Sequence, residues 1–397
     1  MNESIEDAVR AEVAALAPDL VAVRHFLHQN PELSDREENT SALVAKQLRA
    51  YGITDVRTGV GGYGVTATLM GVCAGPTMAL RADMDALPIQ ERNDLPYSSC
   101  VPGVMHACGH DGHTATLLGA AGTLARLRDR LPGTVRFIFQ PAEETVGGAV
   151  RMCRDGAMDG VDAVVALHGW PGLAVGQIGV RPGPMMASSD TFDIIIEGKG
   201  AHAAYPHLSV DPIFAGAQVV TALQGVVSRE ISPIDSVVVT VAQFHAGTAY
   251  NIIPVTAEIK GTVRCLSAAI QDAMPERLER IVGGICGAAR AQYSFRYQRG
   301  TPVTVNDFEV NALVAGVGAD LLGEDNVIPL DAPSMGAEDF AIYLQHAPGA
   351  MFRLGVGEEM TALHTPTYNF ADAAIPRGME LFACVVTTYL NSKKTAG

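Results

Sequence analysis

The stretch Met105-His106-Ala107-Cys108-Gly109-His110-Asp111-Gly112-His113-Thr114 decides how this chain is interpreted. Apolar residues recur at spacings of three and four directly after it, which predicts a tight, glycine-rich loop that enters the N-terminus of a helix. A helix N-terminus lowers the pKa of a thiol and favours the thiolate, the form that binds metal. Cysteine and histidine are common ligands of transition metals, so the stretch favours a metal site over a buried cysteine beside capping histidines.

The composition limits the class of protein and its partners. The chain has 397 residues, more than one ordinary domain needs, and a net charge of −15 that argues against a nucleic acid or an anionic membrane surface as partner. Its seven cysteines are scattered, which indicates reduced thiols and a cytoplasmic location. The polar, acidic start is not typical of a signal peptide, and no apolar run reaches the roughly 20 residues of a membrane span.

Polar residues follow three buried strands of the predicted first domain. The strands cover residues 77–82, 133–139 and 161–167, and the polar residues are Asp83, Asp85, Glu143, Glu144 and His168. Strands that alternate with helices and read as continuous apolar runs predict an α/β fold with a mostly parallel sheet. Ligands of such sheets bind at the carboxyl ends of the strands, so the pattern predicts one site there.

The pattern changes near Pro184. Residues 188–299 predict the order β-α-β-β-α-β, which is typical of a ferredoxin-like domain. We therefore predict a catalytic domain of residues 1–187 and 300–397, into which residues 188–299 are inserted as a second domain. Apolar strand faces and edge strands of the inserted domain favour self-association.

The candidate metal ligands comprise one thiolate, one carboxylate and three imidazoles. They are Cys108, His110, Glu144, His168 and His364. A catalytic zinc needs three protein ligands and an open position, so this set suits two ions that share a bridging ligand. Two such ions can polarise a carbonyl and activate water near neutral pH. One of the adjacent pair Glu143 and Glu144 would then serve as general base and the other as ligand, and the residues alone do not decide which.

Motifs spread over nearly the whole chain resemble one family. They are Arg24 to Ser34, Arg81 to Pro88, the stretch from Met105 to Thr114, Gln140 to Glu144, Gly198 to Ala204, Asn251 to Pro254, Met335 to Phe340 and His364 to Pro366. In this order they resemble the dinuclear metallo-amidohydrolases of the hippurate hydrolase, N-acyl-amino-acid amidohydrolase and auxin-conjugate hydrolase type. These enzymes form a branch of the aminoacylase and carboxypeptidase G clan.

The resemblance implies roles for individual residues. It implies Cys108, His110, Glu144, His168 and His364 as metal ligands. It implies Glu143 as the general base and His202 as the lid histidine that stabilises the oxyanion in the partner subunit's site. Asn251 and Arg264 would contact the substrate, and a surface ion pair is the alternative for Arg264. The inserted domain would act as a lid and mediate dimerisation.

The chain departs from the wider clan at Arg81-Ala82-Asp83, where many members have a His-x-Asp metal motif. Arg81 stays protonated and cannot bind a metal, so we expect Asp83 to orient a ligand imidazole instead. His106 and His113 are expected to support the ligands or to pack beside them.

The expected activity is hydrolysis of the amide bond of an N-acyl amino acid by a homodimer or tetramer with two divalent ions per subunit. Manganese or zinc suits the mixed ligands, as do cobalt and nickel. The alternatives are a dipeptidase or aminopeptidase of the same clan, favoured by substrates with a free amino terminus, and a metal-binding scaffold dimer without activity.

Overall fold

The computed structural model describes residues 4–145 and 147–394. The chain divides into two compact units, the first made of Met1–Met185, Val305–Ala332 and Asp339–Gly397, and the second of Met186–Thr304 and Pro333–Glu338. No helix in the described part of the chain is long and apolar enough to cross a membrane.

The helices are α1 (Ile5–Gln29), α2 (Glu38–Ala50), α3 (His110–Arg126), α4 (Gly148–Arg154), α5 (Pro212–Gly225), α6 (Ala268–Ala289), α7 (Phe308–Leu322) and α8 (Ala374–Lys394). The strands are β1 (Asp55–Val60), β2 (Gly64–Met70), β3 (Thr77–Asp83), β4 (Thr134–Gln140), β5 (Ala163–Trp170), β6 (Ile178–Val180), β7 (Gly183–Met186), β8 (Ser189–Glu197), β9 (Ala201–His202), β10 (Val237–Ala246), β11 (Ile252–Ile253), β12 (Thr256–Cys265), β13 (Gln292–Thr301), β14 (Thr304–Asn306), β15 (Val327–Pro329) and β16 (Gly349–Gly355).

The first unit is built on an eight-stranded sheet in the order β1-β2-β4-β3-β5-β16-β6-β15. Its central strands β4, β3, β5 and β16 are parallel to one another, while β1, β2 and β6 run antiparallel to a neighbour. The prediction of an α/β fold with a large, mostly parallel sheet is confirmed. The strand β5 is buried along nearly its whole length, which explains its continuous apolar sequence.

Helices α1, α3 and α8 pack together in this unit. The helix α3 is buried almost throughout, from His110 to Leu124, so its apolar and polar residues alike lie inside. Because β3, β4 and β5 are parallel, the loops that follow them lie at one edge of the sheet. This edge carries the candidate site.

The second unit contains a four-stranded antiparallel sheet in the order β10-β12-β8-β13. Along the chain its elements follow the order β8, α5, β10, β12, α6, β13. The strand β8 alternates between buried and exposed residues, and Phe192, Ile194 and Ile196 belong to a core that includes residues of both helices. Residues spaced by four on α6, such as Met274, Leu278 and Val282, complete this core.

Several local elements are irregular or short. Helix α5 is followed by a π-helical turn at Val226–Glu230. No α-helix begins at Ser334, where the backbone instead bridges to Met186 and the Ser334 hydroxyl accepts a hydrogen bond from the amide of Gly336. Only a 3-10 helix, Asp339–Gln345, follows. The helix α4 and the short strands β6 and β15 were not predicted, since they are too short to carry a periodic pattern.

Candidate metal centre

Two glycines allow the ligand loop to approach its surroundings closely. Gly109 caps α3 in the left-handed region at φ 90°, where a side chain would be strained and would also meet the Tyr368 hydroxyl at 2.8 Å. A Cβ on Gly112 would come within 2.5 Å of the Phe370 ring. Glycine at both positions therefore lets the loop lie against Tyr368 and Phe370, and His110 is the first residue of α3.

The imidazole of His110 is held through one nitrogen and leaves the other without a partner. Its Nδ1 lies 2.9 Å from the backbone oxygen of Asp85 and 3.2 Å from Oδ1 of the same residue. Its Nε2 is buried and makes no hydrogen bond within the described part of the chain. Although burial alone would lower the pKa of His110, Asp83 and Cys108 raise it well above its ordinary value. The surroundings of His110 therefore favour a positive charge.

Cys108 and His168 face each other, with Sγ of Cys108 3.5 Å from Nε2 of His168. The Nδ1 of His168 lies 2.9 Å from the oxygen of Gly169, which leaves Nε2 as the electron-pair donor. Burial, followed by the charge of Glu144, raises the pKa of the Cys108 thiol well above its ordinary value. The expected lowering of this pKa by the helix N-terminus is therefore wrong for the metal-free chain, because burial outweighs it.

Glu144 and His364 meet on the other side of Cys108. Oε1 of Glu144 lies 3.3 Å from Nε2 of His364 and 4.0 Å from Nε2 of His110. This oxygen is buried and, like Nε2 of His110, forms no hydrogen bond to a described residue. His364 adopts φ 61°, and its amide donates to the oxygen of Ala107 at 2.8 Å. The loop after β16 is thus tied to the ligand loop.

The five predicted ligands come together in overlapping groups whose ligand atoms lie within 4.8 Å of one another. The groups are Cys108 with His110 and His168, Cys108 with Glu144 and His364, and His110 with Glu143 and Glu144. A buried imidazole nitrogen and a buried carboxylate oxygen that form no hydrogen bond to a described residue are costly, and a bound cation would remove that cost. The side chains present therefore fit a metal pair.

Glu143 precedes Glu144 in the chain and is buried, with 9% of its surface exposed. The preceding Ala142 has φ 52°, a left-handed conformation that is strained in a residue with a side chain. The amide of Ala142 donates to Oε1 of Glu37 at 2.8 Å. The buried carboxyl group of Glu37, the residue that precedes α2, thus helps to hold the turn from which both glutamates project.

Asp83 does not bond directly to a predicted ligand. Its Oδ1 lies 2.7 Å from Nδ1 of His113, and its Oδ2 accepts from Arg81 at 2.7 Å. Although burial alone would raise the pKa of Asp83, the charges of His110, Arg81 and His113 hold it well below its ordinary value. The imidazole that Asp83 orients is that of His113, and Nε2 of His110 lies farther away, at 3.6 Å from Oδ2.

His113 uses both ring nitrogens, because its Nε2 accepts from the amide of Gly169 at 2.7 Å. It therefore braces the strand of His168 against α3. His106 is buried and makes no side-chain hydrogen bond to the described residues, and burial lowers its pKa to about 4. It packs as a neutral ring.

Sequence reasoning assigned no role to Asp85. Besides contacting His110, this residue accepts at Oδ2 from the amide of Glu144 at 3.0 Å and from the Ser34 hydroxyl at 2.6 Å. It therefore orients one predicted ligand and fixes the backbone of another. Its place after β3 was the available signal, but nothing in the residue order shows which partners it meets.

A second buried network lies behind the first turn of α3. Asp111 accepts from Arg24 at 2.8 Å and lies 2.8 Å from Nδ1 of His28, whose Nε2 lies 3.1 Å from Glu91. Against the effect of burial, Asp111 raises the pKa of His28 to about 9. His28 is therefore a charged, structural residue next to the ligand loop.

The remaining predicted residues belong to the second unit. His202 and Asn251 line a cavity of about 860 Å³ there. The backbone oxygen of Asn251 accepts a hydrogen bond from the backbone amide of Ala203 at 2.9 Å. Arg264 is half-buried on β12 and is not among the residues that line this cavity. Burial lowers the pKa of its guanidinium, and the charge of Asp190 opposes this shift.

A model of Peptidase family M20/M25/M40 matches residues 79–388. The chain belongs to this family. An M20 structure, that of the Bacillus subtilis YXEP protein, described as a dinuclear metal binding peptidase, is 36% identical with a TM-score of 0.85, and the match covers 95% of this chain and 99% of that one.

Two relatives carry names that state an activity. The N-acyl-L-amino acid amidohydrolase of Geobacillus stearothermophilus is 45% identical over 327 residues, which is 82% of this chain and 88% of that protein. The N-acetyl-L-cysteine deacetylase of Bacillus subtilis strain 168 is 41% identical over 371 residues, 93% of this chain and 88% of that protein. The predicted resemblance is confirmed, and this M20 member is a hydrolase that acts on amide bonds.

Proposed function

We propose that this M20 hydrolase cleaves the amide bond of N-acyl amino acids and releases a carboxylic acid and an amino acid. The convergence of Cys108, His110, Glu144, His168 and His364 supports a metal centre, as do a buried nitrogen of His110 and a buried oxygen of Glu144 that form no hydrogen bond to a described residue. The names of the relatives support the substrate class.

Two divalent ions per subunit would be held by these five side chains. Mixed sulfur, nitrogen and oxygen ligands suit zinc or manganese, and also cobalt or nickel. When bound, the ions would polarise the substrate carbonyl and lower the pKa of water.

Glu143 is proposed as the general base. It lies beside Glu144 and within the ligand group of His110, and a buried carboxylate at this place can accept a proton from the attacking water. The protonated Glu143 then donates to the nitrogen of the leaving amine, so that one residue serves both proton transfers. The assignment of base and ligand within the pair rests on the family resemblance.

The second unit is proposed as a ferredoxin-like lid that also mediates dimerisation. Its strand order and its exposed apolar side chains support this, among them Phe214, Tyr250 and Val255. His202 would stabilise the oxyanion in the partner subunit's site, while Asn251 and Arg264 would contact the substrate. A homodimer, or a tetramer built from it, is the expected assembly, and sedimentation equilibrium measures it directly.

A cytoplasmic location is proposed as well. All seven cysteines are free thiols, and Cys73 and Cys100 are exposed, as is usual in a reducing compartment.

The test combines metal analysis with a substrate panel. The purified protein is analysed for bound metals and assayed on N-acyl amino acids and on dipeptides with a free amino terminus, before and after chelation. We expect cleavage of the acylated substrates, loss on chelation and recovery with added metal. Turnover that persists after complete chelation would contradict the metal centre, and a preference for free amino termini would favour a peptidase.

A further inference from the structure

Arg353 lies on β16 with its guanidinium carbon 3.7 Å from the ring centre of Trp170. In the parallel pairing of β16 with β5 it is the register partner of His168, one of the proposed ligands. The rings of His168 and Trp170 in turn pack edge to face with centres 5.7 Å apart. Arg353 therefore stands at the same strand ends as the metal centre.

The guanidinium of Arg353 has no counter-charge among the residues that the structure describes. It forms no ion pair or hydrogen bond with any of them, and its Nε is buried. By contrast, the buried guanidinium of Arg24 contacts Asp111 and Asp372. Burial alone lowers the pKa of Arg353, to about 10, so the side chain remains a cation at neutral pH.

Arg353 is half-buried, and its buried Nε leaves one donor unsatisfied, which favours binding of an acceptor. A guanidinium presents a planar fork of donors that matches a carboxylate. Stacking on the indole of Trp170 holds that fork in one plane. Arg264 differs, because the charge of Asp190 already acts on it.

We propose that Arg353, supported by Trp170, binds a carboxylate of the substrate and so selects anionic substrates. The proposal rests on the proposed function. The carboxylate can belong to the amino acid, as in N-acetyl amino acids, or to the acyl group, as in monoamides of dicarboxylic acids. Both sources share the chemistry that Arg353 recognises, and the test separates them.

The kinetic test compares three substrates: an N-acetyl amino acid, its C-terminal amide, and the N-succinyl derivative of that amide. Arg353→Gln is expected to raise the KM for the substrate whose carboxylate it binds by about 10- to 100-fold, since hydrogen bonds to charged groups contribute that much. The kcat for that substrate, and both kcat and KM for the uncharged amide, should stay within about twofold of the parent values. An effect on the first substrate identifies the amino-acid carboxylate, and an effect on the third identifies the acyl carboxylate.

Two variants control for charge and folding. Arg49→Gln removes the same charge from an exposed position on α2 and should change none of these constants. Arg353→Lys keeps the charge but loses the planar fork, and should fall between the parent and Arg353→Gln. Equal changes for charged and uncharged substrates in Arg353→Gln would overturn the proposal.

A binding measurement makes the test independent of turnover. Trp170 is the only tryptophan of the chain, so tryptophan fluorescence reports on this position alone. The metal-loaded protein is titrated with 4-oxopentanoate, in which a methylene replaces the amide nitrogen of N-acetylglycine, and with its amide, 4-oxopentanamide. For the acyl arm the probes are 7-amino-4,7-dioxoheptanoate, the matching analogue of N-succinylglycinamide, and its diamide, 4-oxoheptanediamide.

We expect the carboxylate, and not the amide, to change the fluorescence, with a dissociation constant at least about 10-fold weaker in Arg353→Gln. Equal binding by the parent and the variant in both arms would overturn the proposal. Binding that depends on Arg353 in a protein without amide hydrolysis would refute the proposed function and leave this inference standing.

Discussion

Nδ1 of His110 lies 2.9 Å from the backbone oxygen of Asp85 and 3.2 Å from its carboxylate. The ring is thereby fixed so that its Nε2 faces the other proposed ligands. We predict that Asp85→Ala weakens metal binding by about 10- to 100-fold, because partners behind a ligating imidazole set its orientation and basicity. Competition with a chromophoric chelator measures the change. Ser34→Ala, which removes only a hydroxyl donor to Asp85, should have a much smaller effect, and equal effects of both variants would contradict the argument.

The adjacent glutamates should separate into two phenotypes. Glu143→Gln is expected to retain two ions per subunit and lose activity by at least about 100-fold, as is typical for a missing general base. Glu144→Gln is expected to lose metal, because Oε1 of Glu144 is the oxygen that faces His110 and His364. Elemental analysis and turnover of both proteins test this. A metal-depleted Glu143→Gln with a fully loaded Glu144→Gln would reverse the assignment.

Glu37 should make stability depend on pH. Burial raises its carboxyl pKa from 4.5 to about 7, and its Oε2 lacks a hydrogen bond to any described residue. Because the folded pKa is the higher one, this contribution to stability is complete below pH 4.5 and is lost as the pH rises through 7. The free energy of unfolding of Glu37→Gln, relative to that of the parent, should therefore increase by roughly 3 kcal/mol between pH 5 and pH 8.

Urea unfolding at several pH values measures this difference. The exposed neighbour Glu38, changed to Gln, should leave the pH profile unaltered. Parallel profiles for the parent and Glu37→Gln would show that the buried carboxyl group is not the cause.

Removing one partner of the buried pair of Arg24 and Asp111 should destabilise the first unit strongly. Both side chains are fully buried and 2.8 Å apart, so Asp111→Ala leaves two buried cations, Arg24 and His28, without their shared anion. A loss of about 3–5 kcal/mol is expected, as when one partner of a buried pair is removed. Chemical unfolding of the metal-free proteins measures it. Truncating Arg126, whose partner Glu12 is at the surface, should change stability by less than about 1 kcal/mol, and a similar loss there would contradict the argument.

The sequence predicted the convergence of the proposed ligands because strand ends in a parallel sheet meet at one edge. It could not predict how each ligand is oriented. The partner of His110 is 25 positions away, and Asp83 turned out to hold His113, because the side chain of Arg81 occupies its other oxygen. Such pairings depend on packing between elements that are distant in the chain.

Local conformations also escaped prediction. Ala142 and His364 adopt positive φ angles without being glycine, which no residue pattern indicates. Ala142 precedes Glu143, and His364 is itself a proposed ligand. Arg353 could not be recognised either, because its lack of a counter-charge among the described residues is a property of the folded surroundings. Motifs identify the chemistry of a site, and tertiary contacts determine its geometry.

The chain order of the first unit has a consequence for biogenesis. Strand β5 pairs in parallel with β16, which is made only after the whole second unit, and His364 follows β16. A ribosome therefore synthesises Cys108, His110, Glu144 and His168 long before the last member of the set exists. Until then the nascent polypeptide exposes a partial thiol and imidazole cluster beside an unpaired sheet edge. The complete ligand set should accordingly form only after β16 and the loop of His364 have been synthesised.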